Sequence, residues 1–201
     1  MNIEIEVKLE LSESDFRSLQ RQGTLREERR QINVYYDAQW LLADQAVTLR
    51  IRFAEALPPV LTLKIPISHD AKNRKMKEYE WQLDRPWSAT ARSSHPMHLE
   101  PETDLPAEIA DELRNIGVRR LDRIGWVRNT RSLIEFANDG LVELDELRLP
   151  NGDVVFEAEI ESADDGSMQR LTERIRSFVP AASLSMESKF QRFRKACEER
   201  E

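Results

Sequence analysis

The sequence predicts an α+β fold, a mainly antiparallel β domain with helices packed on the outside. Three observations carry that expectation. Apolar and charged residues alternate strictly at 3–9, with Ile3, Ile5, Val7 and Leu9 set against Glu4, Glu6 and Lys8, which is the period of a strand with two unlike faces. Five further segments repeat the alternation, and each gives one face to ionisable groups. The helical segments are amphipathic, and their apolar stripes can bury the apolar strand faces.

Taken in order, Ser12-Glu13-Ser14-Asp15 is a capping box opening a helix that carries Phe16 and Leu19 and stops near Gly23. Residues 25–37 start charged, with Arg26, Glu27, Glu28, Arg29 and Arg30 as a charged edge, and become strand-like through Val34, Tyr35 and Tyr36. Residues 37–44 form a loop or a short helical turn around Trp40 and Leu41. A strand at 47–53 sets Arg50 and Arg52 on one face. Pro58-Pro59 turns the chain, and a strand at 60–65 brings Thr62 and Lys64 together. A polar loop at 68–74 leads to a strand at 75–83, with Glu78, Glu80 and Gln82 on one face and Tyr79, Trp81 and Leu83 on the other.

The stretch 86–106, rich in Pro, Ser and His, is an irregular excursion. A helix follows from Pro106 to Ile116, with proline at its start and Gly117 at its end. Strand character returns at 118–136. Asn138-Asp139-Gly140 makes a hairpin turn into 141–145, which pairs Glu143 with Asp145 on one face. Pro150-Asn151-Gly152 turns again, and 155–161 lines up Glu157, Glu159 and Glu161, the last of them past the end of the charged face. A helix from Asp164 carries Leu171, Ile175 and Phe178 and ends at Pro180. The last helix, 187–199, carries Phe190 and Phe193 with Lys189, Arg192 and Arg194, the two arginines on a solvated face. Trp40, Trp81, Trp87 and Trp126 are expected in the core or at its rim.

The 201 residues suit a single domain spanning 1–201. A net charge of −7 argues against a nucleic-acid or anionic-membrane surface, while leaving room for an anionic ligand in a local basic pocket. Charged residues make up 33%, above the usual quarter, so the chain carries many surface charges or some inside. The single cysteine, Cys197, excludes an intrachain disulfide and fits a reducing cytoplasm. No apolar run approaches membrane-spanning length. His95 and His98 do not form a metal pair, because Pro96 breaks the helix that would align them.

The charged strand faces carry the functional signal. Arg50, Arg52 and Lys64 make basic faces, Glu78/Glu80, Glu143/Asp145 and Glu157/Glu159/Glu161 make acidic ones, and the first strand is both. Period alone fits an open sheet with a wet face as well as a closed sheet with a charged lumen. The chemistry favours the lumen. Cations at strand spacing form a rigid array for phosphate oxygens, and paired carboxylates are hard oxygen ligands for Mg²⁺ or Mn²⁺. Together they describe a site for a metal-bound polyphosphate.

The strand Glu4-Ile5-Glu6-Val7-Lys8 matches the ExExK signature of the CYTH superfamily, the triphosphate tunnel metalloenzymes. ExExK alone is a common pattern. The order of the other segments makes the resemblance specific: LRIRF at 49–53, TLK at 62–64, EYE at 78–80, VELD at 142–145, FEAEIE at 156–161 and SKF at 188–190, covering residues 2 to about 195. The segments NVYYD, NTR and SKFQRFR are most similar to the plant-type and related bacterial tripolyphosphatases of that family.

The resemblance implies a closed antiparallel eight-stranded β-barrel, a tunnel open at both ends, and a cytoplasmic hydrolase acting with Mg²⁺ or Mn²⁺. Its substrate would be a small-molecule triphosphate, tripolyphosphate first, with thiamine triphosphate, nucleoside triphosphate hydrolysis or adenylyl cyclisation as alternatives on the same tunnel. A non-catalytic polyphosphate- or nucleotide-binding module fits less well, since an anion binder has no use for so many carboxylates. Carried over by position, Glu4, Glu6, Glu157 and Glu159 are the main metal ligands, with Glu78, Glu80, Glu143 and Asp145 on the opposite wall for a second metal or for orienting water. Lys8, Arg50, Arg52, Lys64 and Lys189 form the phosphate clamp. Arg128 and Arg131 are three apart and cannot both point inward, and the Asn-Thr-Arg context favours Arg131 as the one that joins the clamp. Glu6, Lys64, Tyr35 and Glu80 carry the catalytic expectation, with Tyr35 rather than Tyr36 facing the tunnel, near Lys64.

Overall fold

The computed structural model describes residues 1–69, 74–83, 98–136, 139–161 and 165–199. Residues 70–73 of the expected polar loop, Trp87, His95, Asn138 of the expected hairpin turn and Asp164 at the expected helix start lie outside the described residues. The elements, in chain order, are β1 (Asn2–Leu11), α1 (Glu13–Gln22), β2 (Thr24–Asp37), α2 (Leu41–Asp44), β3 (Thr48–Ala54), β4 (Val60–His69), β5 (Arg74–Gln82), β6 (His98–Leu99), α3 (Pro101–Asp104) and α4 (Ala107–Ile116). There follow β7 (Leu121–Phe136), β8 (Gly140–Arg148), β9 (Val154–Glu161), α5 (Asp165–Phe178), β10 (Ser183–Leu184) and α6 (Lys189–Glu198).

Eight of these strands close into an antiparallel barrel, in the order β1-β5-β4-β3-β2-β7-β8-β9, and β9 pairs back onto β1. The closing register sets Glu6 opposite Glu161 and Lys8 opposite Glu159. Side chains alternate across each strand, so closure sends one charged face of every strand inward. The short strands β6 and β10 add to β7 and β1. They and α3 are too brief to leave a period in the sequence, and residues 98–104 are therefore ordered where the sequence predicts an irregular excursion.

The outward apolar faces are covered by helices in two places. Phe16 and Leu19 of α1 and Leu171 and Ile175 of α5 pack on Val7, Leu9, Leu144 and Ile160. Ile109 and Leu113 of α4 pack on Leu49, Ile51, Leu61 and Leu63. Each such buried side chain contributes about 1.5–3 kcal/mol. Ser12 caps α1 by accepting from the Asp15 amide. Gly23 ends α1 in extended, not left-handed, backbone; a Cβ there would meet the Glu135 carbonyl oxygen at 2.8 Å, so this glycine serves close approach to β7.

The last helix departs from expectation. Ser188 and Gln191 form its capping box. Phe190 and Phe193 do not pack on the barrel's outer face. They join Tyr35 and Val127 in a third cluster, with ring centroids 4.9 and 5.1 Å from Tyr35. Tyr35 lines the inner cavity, so α6 lies across one mouth of the barrel. The tunnel is a cup closed at that end, not a pore open at both. Gly125, directly opposite Tyr35 on β7, has φ +152 and leaves the space that the Phe193 ring fills.

Candidate active site

The cup contains a cavity of about 210 Å³. Six cations line it, Lys8, Arg50, Arg52, Lys64, Arg131 and Lys189. Seven carboxylates join them: Glu4, Glu6, Glu78, Glu80, Glu143, Glu159 and Glu161. All the expected clamp residues are therefore brought together. Exposure falls from the open mouth to the α6 end: the Glu80 side chain is 43% exposed and Arg52 22%, against 7% for Lys189 and 0% for Asp145 and Glu157.

The floor is an ion-pair network. Lys189 Nζ lies 2.5 Å from Glu159, 2.8 Å from Asp145 and 3.4 Å from Glu157. Lys8 lies 2.6 Å from Glu159. Arg131 donates to Asp145 and Glu159 and pairs with Glu143. These cations hold Glu159 well below the usual carboxylate range and Asp145 below it, against the opposing effect of burial. The Arg131 guanidinium is raised well above its ordinary value by Asp145, Glu143 and Glu159, which outweigh its burial.

Asp145 and Glu157 do not line the cavity. The expected metal set is thus split by depth: Glu4, Glu6, Glu143 and Glu159 reach the cavity and Asp145 and Glu157 lie beneath it, with Glu159 lining the cavity while paired with Lys189, Lys8 and Arg131. Arg192 is a second correction. Its side chain is not solvated but 10% exposed, donating to Glu157, Glu10 and Ser185. Arg194 pairs with Asp44 and Glu198 and stacks on Trp40.

Glu161 is a third correction, since the sequence places it past the end of the charged face. It lines the cavity and shares ligand distance with two groups, Glu4/Glu6 and Glu143/Glu159, whose oxygens lie within 4.8 Å of one another in each triad. Glu161 is exposed at the cavity edge, where desolvation by the wall and then the neighbouring Glu143, Glu4 and Glu159 push its carboxyl up to about 8. Both triads suit a hard divalent cation, being all-oxygen and in the cavity wall. A third triad of similar spacing is Asp145/Glu157/Glu159. All three triads carry a cation in this fold, Lys64 on Glu4, Arg131 on Glu143 and Glu159, and Lys189 on Asp145, Glu157 and Glu159. The third differs in that two of its members, Asp145 and Glu157, lie outside the cavity lining.

Arg131 points inward, whereas Arg128 stacks over the Trp126 ring at 4.8 Å on the outer wall. Trp81 and Trp126 are half-exposed. Tyr35 faces the cavity and Tyr36 the outer core. The Tyr35 hydroxyl is buried without a hydrogen-bond partner among the described residues. Burial raises it to about 12, against the opposing charges of Arg50 and Lys189. Lys64 is held by Glu4 at 2.5 Å and Glu78 at 3.3 Å, and its ammonium is raised because those carboxylates and Glu6 outweigh burial. Glu80 accepts from Arg52 and Thr62 at the rim. Arg50 differs from the other cavity cations: among the described residues no ion pair engages it, and its Nε is buried without a partner.

Among the described residues no helix is long and apolar enough to cross a membrane. No curated protein matches the chain. Solved structures do. An adenylate cyclase candidate from Bacillus halodurans shares 26% identity, with a TM-score of 0.74 over 96% of this chain and 99% of that one. An adenylyl cyclase candidate from Hippeastrum, HpAC1, described as having a dominant triphosphatase activity, shares 24% identity and a TM-score of 0.72 over 96% and 95%. The PH1819 protein from Pyrococcus horikoshii shares the fold at 15% identity and a TM-score of 0.61 over 96% and 98%. The CYTH domain model matches residues 2–194, so the closed, charge-lined barrel described above is a CYTH barrel and the chain belongs to the CYTH domain family.

Proposed function

We propose that the protein is a cytoplasmic metal-dependent triphosphatase whose preferred substrate is inorganic tripolyphosphate, cleaved to pyrophosphate and phosphate. The observation that carries this reading is Arg50, a cavity guanidinium with no ion pair among the described residues, set among paired cations and two carboxylate triads in the cavity wall. Its buried Nε has no acceptor among the described residues, and a phosphate oxygen would supply one.

In this reading Arg50, Arg52, Lys8, Lys64, Arg131 and Lys189 grip the phosphate oxygens along the cavity wall. Glu4, Glu6 and Glu161, with Glu143 and Glu159, would hold Mg²⁺ or Mn²⁺, which supplies charge neutralisation on the phosphate oxygens when bound. Carboxylates of the same wall orient the attacking water in line with the terminal phosphorus. Tyr35, kept as a neutral phenol, donates to a phosphate oxygen at the closed end. Glu80 positions Arg52 at the mouth. Phosphate on Lys64 would compete with Glu4 and Glu78 for the ammonium and leave Glu4 available among the residues that would hold the cation.

The test measures phosphate release from tripolyphosphate, thiamine triphosphate and ATP with Mg²⁺, Mn²⁺ or EDTA, and assays cyclic AMP from ATP. Metal-dependent release, fastest from tripolyphosphate, is expected. Failure to release phosphate from any of them, or cyclic AMP as the main product, overturns the reading.

A further inference from the structure

A hollow of about 480 Å³ opens on the outside of the barrel, between the outward face of β5 and helix α4. Of its lining residues only Glu80 also lines the main cavity. Tyr79 and Trp81 share one strand face, two residues apart, and Glu108 and Glu112 share one helix face, four apart. The buried side chain of Ile109 lies among them.

One half of the hollow shows how it treats a cation. The Lys77 ammonium stands 5.2 Å from the Tyr79 ring centroid and pairs with Glu112. The Tyr79 hydroxyl donates to the same carboxylate over 2.6 Å. An aromatic face and a helix carboxylate thus hold an ammonium between them. Trp81 and Glu108 repeat that arrangement one step along. β5 advances two residues from Tyr79 to Trp81 while α4 steps back one turn from Glu112 to Glu108, and all four line the same hollow. Among the described residues no cation stands over the Trp81 ring, and Glu108 has no ion pair. Trp81 is 51% exposed, and its indole is the stronger of the two aromatic faces for a cation.

We infer that this hollow binds a linear polyamine, with one ammonium seated between the Trp81 indole and the Glu108 carboxylate. The carboxylates beside that seat call for more than one ammonium. Asp111 and Glu80 also line the hollow, and each bonds an arginine through a single oxygen, Arg114 on Asp111 and Arg52 on Glu80. The second oxygen of each is left to accept. A slim chain with ammonium groups a few methylenes apart reaches one of these from the Trp81 seat, its apolar stem along Ile109 and Met1. A lysine side chain of a partner protein brings one ammonium only, and answers Glu108 without answering the next carboxylate. The site stands apart from the triphosphatase reading, since no cation of the clamp lines it.

Calorimetric titration of the full chain with spermidine at low ionic strength tests the assignment; Trp81 and Glu108 are exposed, so their variants keep the core. One saturable site is expected, with a change in tryptophan fluorescence that Trp81→Leu abolishes. Affinity should fall about threefold in Trp81→Leu and about threefold in Glu108→Gln, the scale of one exposed cation–π contact and one exposed ion pair. Glu13→Gln on α1 removes the same charge far from the hollow in the fold and should leave affinity unaltered. n-Butylamine, with a single ammonium, should bind at least about threefold more weakly than spermidine. Absence of saturable binding, unchanged affinity in both hollow variants, an equal loss in Glu13→Gln, or n-butylamine binding as tightly as spermidine overturns the inference. Tighter binding of the peptide Gly-Lys-Gly than of spermidine also overturns it, by assigning the seat to a lysine of a partner protein.

Discussion

Lys189 Nζ sits 2.5 Å from Glu159 Oε1, carried into the barrel by a helix that closes one mouth. The same ammonium reaches Asp145 and Glu157, which are fully buried. A helix residue thus completes the charge balance of strands β8 and β9. Lys189→Met removes the cation and leaves three carboxylates with Lys8, Arg131 and Arg192 alone. A loss of about 3–5 kcal/mol is expected, because an uncompensated buried charge remains. Thermal or urea unfolding measures it; a destabilisation well under about 1 kcal/mol would mean that the network does not depend on Lys189.

Arg50 makes the opposite case. It lines the cavity without an ion pair among the described residues, so Arg50→Ala breaks no native ion pair among them. Stability is expected to hold or rise slightly. At the same time kcat/KM for tripolyphosphate should fall by at least about tenfold, the scale of one charge-assisted hydrogen bond missing from the transition state. Unfolding curves read beside steady-state kinetics separate the two effects. A large stability loss with unchanged kcat/KM would place Arg50 in a structural role.

These two cations also show what the sequence makes legible. The facing of Arg50 and Lys8 is visible because strand alternation fixes a face within one element. Closure is not, since it depends on β1 meeting β9 across most of the chain. Glu161 illustrates the cost: its alternation continues from Glu157 and Glu159, but only the Glu6–Glu161 register places it inside. Arg192 is legible in part. Lys189, Arg192, Phe193 and Ala196 share one helix face at spacing i, i+3, i+4 and i+7, so Arg192 belongs with the buried side. That α6 plugs a mouth instead of covering a wall follows from Gly125 and Tyr35, two residues whose pairing no local period reveals.

Gly125 carries a third prediction. A Cβ there would lie 2.6 Å from the Phe193 ring, at a backbone φ of +152 that side chains rarely adopt. Gly125→Ala is expected to cost about 1–3 kcal/mol through overpacking and strain, and to loosen α6 in its seat. Limited proteolysis reads the second part: cleavage beyond residue 187 should accelerate in the variant. Unchanged stability together with unchanged cleavage would show that Phe193 yields without cost.

Glu161 sets the pH behaviour. Its carboxyl is raised to about 8, so between its ordinary value and 8 the folded chain holds a proton that the unfolded chain has released. Metal-free stability from this group therefore falls as pH rises through that window, the reverse of Glu159 and Asp145. Those two, lowered in the fold, add stability above their ordinary values and lose it only as acid protonates them. Divalent cations need the ionised form, so Mg²⁺ or Mn²⁺ binding is expected to release a proton near pH 7 and to stabilise the protein more at pH 8 than at pH 6. Glu161→Gln should flatten the metal-free stability profile between pH 5 and pH 8 and weaken Mn²⁺ binding. Melting curves across that range, with and without Mn²⁺, check both parts; a parent profile already flat over that window would remove Glu161 as the titrating group.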